Sequence, residues 1–123
     1  MEGKTMDLKA FYEKVGGNYD EVMGRLMKEE RALKYLSRMA DDPNYSELLA
    51  NLDAQNYPDA FRSVHTLKGL ALNLGLGKLA EASSTLCEDL RNGPPAGDVA
   101  KERADVEAAY KESVEAIQEL INA

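Results

Sequence analysis

One cysteine, one histidine and no tryptophan occur in this 123-residue chain, and each scarcity closes off some chemistry. A lone Cys87 excludes an internal disulfide and any cysteine-based metal cluster. A lone His65 leaves no histidine pair for a zinc site. No apolar run approaches the ~18 to 20 residues that a helical membrane span requires. The N-terminal Met-Glu-Gly-Lys-Thr-Met-Asp-Leu lacks the apolar stretch of a signal peptide, so the expected compartment is the cytoplasm. The net charge of −7 argues against a nucleic-acid partner, whose phosphates most of this surface would repel. A Gly-rich nucleotide loop is also missing, and the length leaves no room for an ATP-binding kinase module.

What is present reads as helices. From about residue 18 to 40, Tyr19, Val22, Met23, Leu26, Leu33, Leu36 and Ala40 form one stripe of a 3.6-residue period. Asn18 and Glu21 suit a helix start, and Asp41-Asp42-Pro43 a stop. A shorter helix is expected from Tyr45 to Ala54. Asn56 and Pro58 open the next, which runs to about Leu74 before Gly75-Leu76-Gly77. Leu76, Leu79, Ala80, Ser83, Leu86, Cys87 and Leu90 mark a helix over 76–92, ended by Gly93-Pro94-Pro95. Val99, Val106, Ala109, Tyr110, Val114, Ile117 and Ile121 carry a last helix over 98–121. No β-type alternation competes. The expected fold is all-α: an antiparallel up-down four-helix bundle with short additional N-terminal and connecting helices, forming one domain over 1–123. Cys87 and the methionines Met23, Met27 and Met39 are expected as core filler. The glutamates of the last helix read as a solvated face.

The helix over 56–74 carries the candidate chemistry. At ~100° per residue, Ala60, Val64, Leu67, Ala71 and Leu74 form its core stripe, and His65 lies about 120° from the centre of that stripe. Lys68 falls between His65 and the core, whereas Arg62 and Gly69 fall on the solvent side. From Tyr57 to Lys78 there are three basic residues against Asp59 alone, a local surplus of positive charge in an acidic chain. Such a patch suits a transient anion. Gly69 costs ~0.5 to 1 kcal/mol relative to alanine inside a helix. Its use there is access, because nothing overhangs an imidazole one turn away. Each residue also has a plainer reading. A helical histidine is usually a solvated surface group, a lysine beside a core edge snorkels, and a helical glycine can serve close packing. The carboxylate pairs Asp41-Asp42 and Glu29-Glu30 have no partner chemistry.

The run His65-Thr-Leu-Lys68-Gly69-Leu-Ala-Leu-Asn-Leu-Gly75 resembles the His-x-x-Lys-Gly signature of histidine-containing phosphotransfer domains, with a glycine six residues after the Lys-Gly pair. The likeness extends through the preceding Tyr-Pro-Asp-Ala-Phe-Arg-Ser-Val and the following Leu-Gly-Lys-Leu-Ala. Leu70 departs from the usual small pair after Lys-Gly. The resemblance implies a four-helix bundle and a phosphorelay intermediate that exchanges a phosphoryl group with receiver-domain aspartates of response regulators. A hybrid sensor histidine kinase is the implied donor. By residue match His65 is the phosphoacceptor, Lys68 offsets phosphate charge, Gly69 gives clearance and Gly75 ends the helix. Arg62, Thr66, Leu72 and Asn73 are the candidate docking residues. No cofactor is implied, since the divalent metal belongs to the receiver, and the chain is expected to be a monomeric phosphocarrier without kinase activity of its own. Two other classes stay open. They are a dimeric phosphotransferase like the phosphoacceptor part of a histidine kinase, which solution mass separates, and an interaction bundle in which His65 is incidental, which would bind partners without phosphate.

Overall fold

The computed structural model describes residues 7–122. Seven α-helices follow in order: α1 Leu8–Val15, α2 Tyr19–Leu26, α3 Glu29–Met39, α4 Pro43–Asp53, α5 Tyr57–Leu74, α6 Gly77–Leu90 and α7 Val99–Ile121. There is no strand among the described residues. The architecture is an all-α, antiparallel bundle in which α5 lies between α4 and α6, and α6 lies between α5 and α7. Helix α3 packs on α7 and α5, and α1 packs on α7 as an N-terminal addition.

Local chemistry sets most of the helix ends. Asn18 Oδ1 accepts from the Glu21 amide at 2.9 Å, and Asp98 Oδ1 from the Lys101 amide at 3.1 Å, each satisfying a donor that the helix start leaves unpaired. Gly75 ends α5 at φ 77°, with the Leu76 amide donating to Ala71 O at 2.8 Å and the Gly75 amide to Leu72 O at 3.3 Å. This is a Schellman motif, and it needs a residue that tolerates the left-handed region. Leu76, the residue after it, is 1% exposed and anchors the turn in the core. The short connection reverses the chain, so α5 and α6 run antiparallel.

The stretch read as one helix over 18–40 is two helices. At Met27 the backbone turns to φ 74°, and the Lys28 amide donates to Leu26 O at 2.9 Å, closing a γ-turn. The reason lies in a gap in the stripe: between Leu26 and Ala32 the only apolar residue is Met27. Glu29 and Glu30 then begin a new helix, where the N-terminal dipole favours acidic side chains. Met27 is 72% exposed, so it is not core filler, whereas Met39 and Cys87 are buried. Ala40 and Ile121 are exposed as well, whereas Tyr19, Met23, Leu33, Val99, Ala109 and Val114 are partly buried and pack against the core. A non-glycine residue at positive φ is strained by about 1 kcal/mol or more. Met27→Gly is therefore expected to raise the melting temperature, and thermal unfolding checks it; a fall would show that the turn is unstrained.

One connection is held by carboxyl groups. Asp89 Oδ1 accepts from the Ala96 and Gly97 amides at 2.9 and 3.0 Å, tying the 91–98 segment to the end of α6. Glu102, in the first turn of α7, lies against it half-buried, with Oε1 unpartnered among the described residues. Burial first, then the Asp89 hydrogen bond and charge, push the Glu102 pKa up to about 7, while that same hydrogen bond and the Gly97 amide hold Asp89 below its usual value. Glu102 is thus not part of a merely solvated face. Because its native pKa is raised, the native state binds this proton more tightly than the unfolded chain. Its contribution to stability is complete below the ordinary glutamate pKa of ~4.3 and is lost as pH rises to about 7. Glu102→Gln should flatten that fall. Melting curves at mildly acidic and mildly basic pH test this, and an unchanged pH slope in the variant would exclude the pair as its source.

Candidate functional site

Helix α5 presents one exposed stripe and one buried stripe. Ala60, Ser63, Val64, Leu67, Ala71 and Leu74 are buried. Arg62, His65, Thr66, Gly69, Leu72 and Asn73 are all exposed, at offsets of three, four and seven residues that keep them on one side of the helix. The site residues read from the sequence therefore share one surface, except Lys68, which is half-buried at the border with α6.

His65 stands near the middle of α5, away from both helix ends. Its ring lies 5.8 Å from that of Phe61, one turn earlier, at an interplanar angle of 41°. Phe61 is partly buried and packs on the core, so it gives the imidazole one apolar wall. The space over Gly69 is open: a Cβ built there would meet no atom within 4 Å outside its own helix and its chain neighbours. Close packing does not explain this glycine.

The surrounding charges are unequally engaged. Arg62 is ion-paired with Asp59 on its own helix, which turns it toward the start of α5. Thr66 donates its hydroxyl to Arg62 O at 3.1 Å and is thereby tied to the helix backbone. Leu72 is 56% exposed, an apolar side chain on the His65 side of the surface. The carbonyls of Leu72 and Asn73 accept from Arg25 of α2 at 3.0 Å, which caps the end of α5 from a neighbouring helix. No carboxylate among the described residues lies within ion-pair distance of Lys68. Its ammonium is felt across the helix pair: it opposes the burial that pushes the Cys87 thiol up, and adds to the Arg91 pairing that holds the Glu88 carboxyl below its usual range.

Sequence reasoning missed Arg91. This residue caps α6, pairs with Glu88 at 2.7 Å and lies over the Phe61 ring at 5.4 Å from its centroid. Phe61 thus touches both a guanidinium and the imidazole, and a second cation approaches from α6. A signal for it existed. Reflecting an antiparallel hairpin about its turn at Gly75-Leu76 sets residues near 90 opposite Phe61. Among the described residues no group of three or more His, Cys, Asp or Glu side chains could hold a metal ion, and no helix is long and apolar enough to cross a membrane.

An exposed helical histidine, the Lys-Gly after it and an antiparallel helical bundle now stand together, and residues 27–122 match the family model of the Hpt domain. The chain belongs to the Hpt domain family. Hpt domains are phosphocarriers rather than kinases; they serve histidine-based phosphorelays, where they interact with receiver domains and histidine kinases. No curated protein and no solved structure matches the chain significantly. The match begins at the γ-turn, so α1 and α2 lie outside the matched segment.

Proposed function

We propose that this Hpt domain is a monomeric, cytoplasmic phosphorelay intermediate that carries the phosphoryl group on His65. It takes the group from, and returns it to, aspartates of response-regulator receiver domains. The observation that carries the reading is the exposed His65 with open space over Gly69 one turn on, on a flank where two cations converge from α5 and α6.

The chemistry asks little of this chain. The unprotonated ring nitrogen of a neutral imidazole is a nucleophile. That nitrogen attacks the phosphorus of an aspartyl phosphate in line. The N–P bond forms as the acyl O–P bond breaks, and the electron pair leaves with the aspartate carboxylate. Phosphoryl transfer is governed by positioning and by charge neutralisation. The receiver supplies the aspartate and its divalent metal. This domain supplies a fixed imidazole, the Lys68 ammonium and, across Phe61, the Arg91 guanidinium. Arg91 is paired with Glu88, which anchors the cation beside Phe61. Leu72, Thr66, Asn73 and Arg62 form the surface on which a receiver docks.

Incubation with a phosphorylated receiver tests the proposal. Acid-labile, base-stable label should appear on this chain at one equivalent, and its absence with several receivers of different origin would refute the reading. Lys68→Ala is expected to slow transfer by about fivefold or less while leaving receiver binding intact, the effect of a surface charge worth up to about 1 kcal/mol. The loss should be larger at low ionic strength, where screening is weak. Rates unchanged at low salt would reduce Lys68 to a surface residue.

A further inference from the structure

Two carboxyl groups meet where α6 passes into α7. A Cβ built on Gly97 would lie 3.0 Å from Asp89 Oδ2 and 3.0 Å from Glu102 Oε2, so both side chains converge on one backbone position. Asp89 belongs to the last turn of α6 and Glu102 to the first turn of α7. No lysine or arginine among the described residues lies within ion-pair distance of either. The other charged groups around Glu102 are Lys78 and Glu81 from α6, and Asp98, Lys101 and Asp105 at the start of α7. Both cations are engaged elsewhere, Lys78 with Glu112 at 3.4 Å and Lys101 with Asp105 at 3.0 Å. Two ionised carboxylates in contact here would repel with no cation between them, and one retained proton removes that repulsion.

The connection that this pair fastens reaches the His65 flank. Asp89 Oδ1 accepts from the Ala96 and Gly97 amides at 2.9 and 3.0 Å. At its other end the same segment presents Arg91 and Gly93, which share a small pocket with Phe61. The Arg91 guanidinium lies 5.4 Å from the centroid of the Phe61 ring, and that ring stands beside His65. One segment, 91–98, is thus held by carboxyl groups at one end and touches the apolar wall of the imidazole at the other.

We propose that the Asp89–Glu102 pair is a proton-operated clasp on the 91–98 connection. With its proton, Glu102 donates to the Asp89 carboxylate and fastens the start of α7 to the end of α6. When that proton passes to bulk water, the like charges part. An ionised Glu102 cannot keep Oε1 buried without a partner, so its side chain turns out to solvent. The connection then loosens, and the Arg91 contact on Phe61 loosens with it. Burial and the Asp89 contact set the working range, since they raise the Glu102 pKa to about 7. The clasp is tightest in mildly acidic solution, weakens as pH rises, and is spent once pH passes about 7. Its effect on transfer through His65 rests on the phosphocarrier function proposed above; the clasp itself does not.

Amide hydrogen exchange of the full chain, followed by NMR across that pH range, is the test. Protection at Ala96 and Gly97, corrected for intrinsic exchange, should fall by up to about tenfold per pH unit, the slope of a one-proton linkage, and level off above about pH 7. Glu102→Gln can donate to Asp89 at every pH, so its protection should stay flat. In single-turnover transfer from a phosphorylated receiver, the variant should match the parent in mildly acidic solution. In mildly basic solution it should exceed the parent by about twofold, the scale of one exposed cation. Protection in the parent that does not vary with pH overturns the clasp and needs no variant. So does a pH dependence that persists in Glu102→Gln. Equal transfer rates in mildly basic solution overturn its link to His65. If neither chain takes up label, the phosphocarrier function fails, and the exchange measurement still decides the clasp.

Discussion

His65→Gln is expected to keep the helical bundle and to lose all phosphoryl uptake. The side chain is exposed and its ring lies beside the partly buried Phe61, so removing it opens no core cavity. Surface changes of this kind stay within about 0.5 kcal/mol of the parent stability. Function stands differently, because this is the only imidazole in the chain and glutamine offers no nucleophilic nitrogen. Circular dichroism and thermal melting check the first half, and labelling from a phosphorylated receiver checks the second. One equivalent of acid-labile label on the variant would remove His65 from the mechanism.

The second large effect belongs to Gly69, where stability and transfer should move in opposite directions. The position is helical without a positive φ, and a Cβ there enters open space. Gly69→Ala should therefore stabilise the bundle by about 0.4 to 1 kcal/mol, because it restricts the unfolded chain. Gly69→Gln should keep most of that gain, since its side chain extends into solvent. Transfer should nevertheless fall steeply from glycine to alanine to glutamine. The receiver has to bring phosphorus within ~3 to 3.5 Å of the imidazole nitrogen, and a side chain one turn away obstructs that approach. Single-turnover transfer rates set against melting temperatures decide it. A stable Gly69→Gln that transfers at the parent rate would refute the access argument, and an unfolded one would make Gly69 a packing residue.

Much of this molecule is legible from periodicity and punctuation. The core stripe of α5, the caps at Asn18, Asn56 and Asp98 and the Gly75 stop all follow from side-chain spacing and backbone rules that act within a few residues. The exposure of His65 follows in the same way, because its angle to the stripe is fixed once the helix is assigned. The break at Met27 was less visible. Leu26 and Leu33 keep the period across a two-turn gap, so a continuous helix and an interrupted one give the same stripe. The unbroken polar run from Lys28 to Arg31 was the clue.

Sequence alone determined the helical class, the exposed histidine and the open position beside it, since each depends on local geometry and on the order of residue types. Tertiary structure decided whatever depends on contacts between distant segments. Gly17 and Gly77 look like ordinary turn glycines, yet a Cβ on either would come within 2.0 Å of a carbonyl oxygen, that of Gly75 for the first and that of Gly16 for the second. Those two loops touch backbone to backbone, which no local rule foretells. The same holds for Arg91 over Phe61 and for Glu102 pressed against Asp89. In each case the energy comes from groups brought together by helix packing, and the sequence separation between them carries no trace of it.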